Sequence, residues 1–202
     1  MITIVNYGMG NLGSLVNMFK RIGVKAVIQS EPKLIGEATK LVLPGVGAFD
    51  AAMDSINDIV GLREVLGQKV IHEKTPVLGV CLGMQLLTNG SEEGKQSGFG
   101  WIPGNVKRFP KLDKLKVPHM GWNIAKINNK SKLTNGIGED PRYYFVHSYC
   151  VQVSNPEHSI MRSFHGIDFD SAISLGNIYG VQFHPEKSHR FGMKILKNFV
   201  EL

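Results

Sequence analysis

The chain has 202 residues, 43% of them hydrophobic, and a formal net charge of +6, a size that predicts one compact domain over residues 1–202 with a substantial core. No run approaches the roughly 18 consecutive apolar residues of a membrane span. The opening MITIVNYGMG has neither the basic start nor the cleavage site of a secretory leader, so a cytoplasmic protein is expected. Cys81 and Cys150 are the only cysteines; two are too few for a disulfide framework and leave room for one reactive thiol. The basic run Lys107, Arg108, Lys111, Lys114 and Lys116 brings neither base-stacking aromatics nor a docking helix, so it reads as a solvated or partner-facing loop, not a nucleic-acid site.

In chain order, ITIV at 2–5, VKAVI at 24–28 and KLVL at 40–43 are short aliphatic runs ending in turn residues, and are predicted strands. Between the first two, Leu12, Leu15, Val16, Phe19 and Ile22 recur at helical spacing, with Gly23 as the stop. Asp50 is expected to cap a second helical region carrying Met53, Ile56, Ile59, Leu62 and Leu66, interrupted at Gly61. PVLGV at 76–80 is a fourth buried strand. Alternation of this kind predicts an α/β fold, a doubly wound and mainly parallel sheet with helices on both faces. After it, WNIAKI, YYFVHSYCVQV, SIMRSF and AISL, separated by turn clusters, predict appended antiparallel hairpins. The chain returns to strand at 178–183, and Phe191, Ile195 and Phe199 mark a closing helix.

Four motifs sit at the ends of these elements. Gly79-Val80-Cys81-Leu82-Gly83 places a nucleophile between glycines where a strand gives way to the helix-like MQLL, a nucleophile elbow with sulfur in place of oxygen. A helix beginning there puts a partial positive charge beside the sulfur; alone, the motif is equally compatible with a small buried hydrophobe. His184-Pro185-Glu186 ends a strand, and residues two apart on a strand share a face, so Glu186 is expected to orient His184 as a base. Pro44-Gly45-Val46-Gly47 offers unhindered N–H groups for half of an oxyanion hole at Val46 and Gly47, the N–H of Leu82 supplying the rest. Gly8, Gly10 and Gly13 spell GxGxxG, formally a dinucleotide fingerprint, but the second strand is followed by Gln29 and Ser30 where a ribose-binding carboxylate belongs.

NYGMGN at 6–11, PGVGAFD at 44–50, GVCLGMQLL at 79–87, VPHMGWN at 117–123, YFVHSY at 144–149 and GVQFHPEKS at 180–188 closely resemble, over nearly the whole chain, the glutamine amidotransferase subunits of imidazole glycerol phosphate synthase. The resemblance implies a triad of Cys81, His184 and Glu186 that releases ammonia from L-glutamine. It also implies glutamine contacts from Gln85 and Glu93 and from backbone groups of Ser148 and Tyr149. It further implies a heterodimer with a cyclase built on a barrel of eight strands and helices, an interface that includes Gly8, Gly10, Asn11, Trp122 and Lys187, and no metal or other cofactor. Asn6 departs from the pattern, which commonly has Asp there. The departure keeps open a paralogous role in supplying ammonia to a surface-polysaccharide sugar.

Overall fold

The computed structural model describes residues 1–202. Its elements are β1 (Ile2–Val5), α1 (Leu12–Arg21), β2 (Ala26–Gln29), α2 (Pro32–Ile35), β3 (Leu41–Leu43), α3 (Phe49–Asp58), α4 (Leu62–Gly67), β4 (Val77–Val80) and α5 (Leu82–Leu86), followed by a strand-rich half. That half holds β5 (Gly104–Arg108), β6 (His119–Ile124), β7 (Lys126–Ile127), β8 (Arg142–His147), β9 (Tyr149–Val153), β10 (Ser159–His165), β11 (Ile167–Leu175) and β12 (Ile178–Val181), and α6 (His189–Glu201) closes the chain. No helix is long and apolar enough to cross a membrane.

Ten strands form one sheet whose main path runs β2-β1-β3-β4-β12-β11-β10-β7. The five strands from β2 to β12 are mutually parallel, and β11 turns the order antiparallel. Successive strand residues face opposite ways. Ile2, Ile4, Val42 and Leu78 therefore pack with Leu15 and Phe19 of α1 and Ile195 and Phe199 of α6. On the other face Leu41, Leu43 and Val77 pack with Phe49, Met53 and Ile56 of α3 and Leu62 and Leu66 of α4. Both faces are covered, which is why these strands read as unbroken apolar runs rather than alternating ones.

Several boundaries differ from expectation for local reasons. The second strand begins at Ala26 rather than Val24, because Gly23 turns with φ +78° and the Val24 N–H returns to Phe19 O at 3.0 Å. Asp50 is not a cap: Ala48 precedes α3, and the Asp50 carboxylate accepts the Lys95 and Gln96 N–H groups at 2.8 and 2.9 Å. Residues 143–153 are two strands, not one. β8 pairs with β6 in a separate two-stranded sheet, and β9 joins β5 and β11, with Ser148 at the break. Pro185–Lys187 is a single 3-10 turn, so His184 and Glu186 do not share a strand face.

Candidate active site

The elbow follows from parallel pairing. Val80 of β4 lies beside Val181 of β12, and the Cys81 N–H continues the ladder to Val181 O at 2.8 Å. Cys81 then adopts φ 55°, ψ −111°, a backbone state that non-glycine residues rarely occupy and that a surrounding structure must hold. The neighbouring glycines are obligatory. A Cβ on Gly83 would stand 1.8 Å from Leu43 O, and one on Gly79 would stand 2.6 Å from Gly83 O. Helix α5 thus starts directly after β4, as the sequence motif anticipates, and hard against the end of β3.

His184 arrives from the neighbouring strand and is fixed at its backbone. Its N–H donates to Tyr144 O at 2.9 Å, and its carbonyl accepts the Ser188 hydroxyl at 2.6 Å. The 3-10 turn brings Glu186 round so that His184 Nδ1 lies 2.8 Å from Glu186 Oε1, with both side chains nearly excluded from solvent at 7% and 3% exposure. The expected partnership therefore exists, made by a turn where strand geometry was expected to make it. Burial works against a charge on His184, but Cys81 and Glu186 outweigh it and push its pKa up to about 10.

A cavity of about 290 Å³ opens over the sulfur. It is lined by Val46, Gly47, Cys81, Leu82, Gln85, Glu93, Ser148, Tyr149, His184 and Lys187, together with Val146 and His147. Every residue expected at the oxyanion hole or the glutamine subsite is in that lining. Glu186 stands behind His184, bordering a second cavity with Ser14, Asn17, Lys20 and Arg21. The Glu93 carboxylate accepts the Phe49 N–H at 2.9 Å, which ties it to the loop 44–48. Gln85 spends both amide hydrogens internally, on Tyr149 O and Gln182 Oε1, each at 3.1 Å, leaving its own carbonyl oxygen for a ligand.

The expected interface residues fall in two patches at the rim. Trp122 is 49% exposed and stacks on His189 at 5.4 Å, while Lys187 Nζ lies 5.7 Å over the Tyr144 ring, against which Trp122 stands edge-on. Gly8, Gly10 and Asn11 form the turn between β1 and α1. Asn6 Oδ1 accepts the Gly8 N–H at 3.1 Å, and Asn11 caps α1 through Ser14 N at 3.3 Å. A Cβ on Gly10 would be 3.1 Å from the Pro44 ring, so this turn rests directly on the loop 44–47. Gly13 sits inside α1. Gln29, in place of a ribose-binding carboxylate, accepts the Ser30 and Glu31 N–H groups at 2.9 Å.

Four residues at the site escaped sequence reading. Gln182, fully buried, points Nε2 at Cys81 Sγ from 3.8 Å; its signal was an amide in an otherwise apolar strand. Tyr7 donates its hydroxyl to Pro44 O, and burial, then Cys81, raise its pKa. Ser188 receives the Tyr144 N–H at 3.0 Å and staples the HPE turn to β8. His147 lines the cavity itself.

Residues 3–202 match the family model for glutamine amidotransferase class-I. The chain is 51% identical to imidazole glycerol phosphate synthase subunit HisH 2 of Methanococcus maripaludis, covering 100% of this chain and 99% of that one. It is 46% identical to the protein of the same name from Pseudomonas aeruginosa, with both chains covered in full. In fold it resembles a putative GMP synthase subunit from Thermoplasma acidophilum at TM-score 0.72 and 20% identity, over 99% of this chain and 92% of that one. The chain belongs to the class-I glutamine amidotransferase family and, within it, to the imidazole glycerol phosphate synthase subunits named HisH.

Proposed function

We propose that residues 1–202 act as one glutaminase domain that hydrolyses L-glutamine and hands the ammonia to a cyclase subunit with an eight-stranded βα barrel, in histidine biosynthesis. The observation that carries the reading is the convergence, in one 290 Å³ cavity, of an elbow thiol, a buried histidine paired to a carboxylate at 2.8 Å, and the residues expected to hold glutamine. Cys81 Sγ attacks the side-chain amide carbon, and N–H groups of Val46 or Gly47 and of Leu82 receive the oxyanion. His184, held by Glu186, protonates the departing ammonia, and the carbonyl reforms as a thioester. Water then attacks the thioester with His184 as base; the C–S bond breaks, glutamate leaves and the thiol is restored. Glu93 is suited to the substrate ammonium, and Gln85 with the Ser148–Tyr149 backbone to its polar groups. The chain's own residues supply every role, so no metal or other cofactor enters the scheme. A thiol that must stay reduced suits the cytoplasm.

The decisive experiment compares glutamine- and ammonia-dependent product formation in the complex with a cyclase. Cys81→Ala abolishes the first and spares the second, because the acceptor chemistry belongs to the partner. Substantial glutamine hydrolysis by Cys81→Ala would refute the nucleophile.

A second reading keeps this chemistry and changes the acceptor to a surface-polysaccharide sugar. It rests on Asn6, whose amide closes the partner-facing turn through Gly8 without the negative charge the resemblance expects there. Glutaminase stimulation by a cyclase, against stimulation by a sugar-amidating enzyme, separates the two.

A further inference from the structure

His147, which lines the cavity, and His119 form a hydrogen-bonded pair whose proton positions are dictated by their neighbours. The carbonyl of Tyr149 can only accept, so His147 Nδ1, 2.8 Å away, carries a hydrogen. In a neutral ring that leaves His147 Nε2 as an acceptor, and it faces His119 Nδ1 at 2.9 Å. His119 Nδ1 must then be the donor, and its Nε2 accepts from Asn123 Nδ2 at 3.1 Å. Asn123 cannot flip, because its Oδ1 receives the Ile124 N–H at 2.8 Å. Its second amide hydrogen goes to Phe164 O at 2.9 Å. Each ring nitrogen is used once, and the scheme closes only with both histidines neutral; protonating either ring would set two N–H groups against each other.

The surroundings favour that state. Phe109, Phe145 and Phe169 pack against His147 within 6 Å between ring centres, and His165 stacks on His119 at 4.2 Å. Burial, with His165 and the other facing histidines adding repulsion to any charge, lowers His147 to about 3 and His119 to about 4. The pair is therefore built for geometry rather than proton transfer at neutral pH. What it holds is the break between β8 and β9. His147 ends one strand, Tyr149 opens the next, and the His147 ring bridges the break to the Tyr149 carbonyl. That carbonyl is gripped from the other side by Gln85 Nε2 at 3.1 Å.

We infer that His147, braced by His119 and Asn123, is a positioning residue for glutamine, fixing the Ser148–Tyr149 backbone as a preformed binding edge of the cavity. The inference rests on the reading of this cavity as a glutamine site. It assigns the histidine pair no part in bond making.

Two measurements test it. In histidine-selective long-range ¹H–¹⁵N spectra of the unaltered chain near pH 6, both His147 and His119 should appear as neutral Nδ1–H tautomers. An Nε2–H tautomer or an imidazolium at either would overturn the scheme. Second, glutamine protection of Cys81 against iodoacetamide gives a half-protecting concentration that needs no turnover. His147→Phe should raise it about tenfold, the scale of one lost buried hydrogen bond, whereas His147→Asn, which keeps a donor near the Nδ1 position, should stay within about threefold. A ring that merely filled space would be replaced better by Phe than by Asn, and that order, or an unchanged value in His147→Phe, would overturn the inference alone. Absence of any protection in the unaltered chain would remove the glutaminase reading and this inference with it.

Discussion

The two cysteines differ in what surrounds them. Cys150 is fully buried in β9, and burial, then Asp170 and Glu92, push its thiol up to about 12. Cys81 lines a cavity together with a histidine, His184. Iodoacetamide with peptide mapping should therefore label Cys81 well before Cys150, and preferential labelling of Cys150 would reverse the assignment. His184 gives a second prediction, in pH. A histidine raised from 6.5 to about 10 in the folded state contributes stability that is fully present below about pH 6.5 and disappears as pH climbs through about 10. Glu186→Gln removes one cause of the rise, so urea-unfolding free energy should fall less over that window than in the parent; identical pH slopes would show that Glu186 does not tune His184. The proposed triad could be read because its three members lie in two short motifs. Gln182 and His147 were not, since a buried polar residue in a strand announces a partner without saying which.

The end of α1 and the break between α3 and α4 were legible from Gly23 and Gly61, both with φ near +80°, although the same Gly23 turn delays β2 to Ala26. They were misread where a side chain had a distant partner. Asp50 looks like a helix cap until the Lys95 and Gln96 amides claim it, and no local pattern carries that information. The break at Ser148 was likewise hidden, because both flanking runs suit strands and only pairing separates them. The elbow yields a contrast between two glycines. Gly83→Ala would place a methyl 1.8 Å from Leu43 O, backbone that cannot step aside, and should cost about 3 kcal/mol or more, the upper range for overpacking. Gly13→Ala in α1 meets nothing within 4 Å and should gain about 0.5–1 kcal/mol from helix propensity. Chemical denaturation of the two variants gives the comparison; equal stabilities would mean that the elbow tolerates a Cβ by moving β3.

For the whole molecule, an ammonia supplier that works on demand needs gating, and the contact between the β1–α1 turn and the loop 44–47 offers a route. Gly47 has φ +100°, and glycines on either side of Val46 let a peptide plane rotate at low steric cost. We predict slow glutamine turnover by the free chain, and a rise on the order of a hundredfold or more when partner and acceptor ligand are both bound, the scale of one oxyanion donor. Near-equal turnover in the free, complexed and liganded states would discard gating and leave the triad untouched. The parallel half of the fold was readable as strand-helix alternation. The route of β8 into a separate sheet was not, because long-range pairing leaves no local period. The register of β4 with β12 carries one more consequence. Cys81 and His184 follow adjacent, buried strands at the centre of the sheet, the part of a protein whose amides exchange with solvent only when the whole chain opens. Deuterium uptake at Val80 and Val181 should accordingly wait for global unfolding, while Val46, 44% exposed, exchanges freely. The proposed reacting pair would then be fixed in place, and regulation would have to come from the rim.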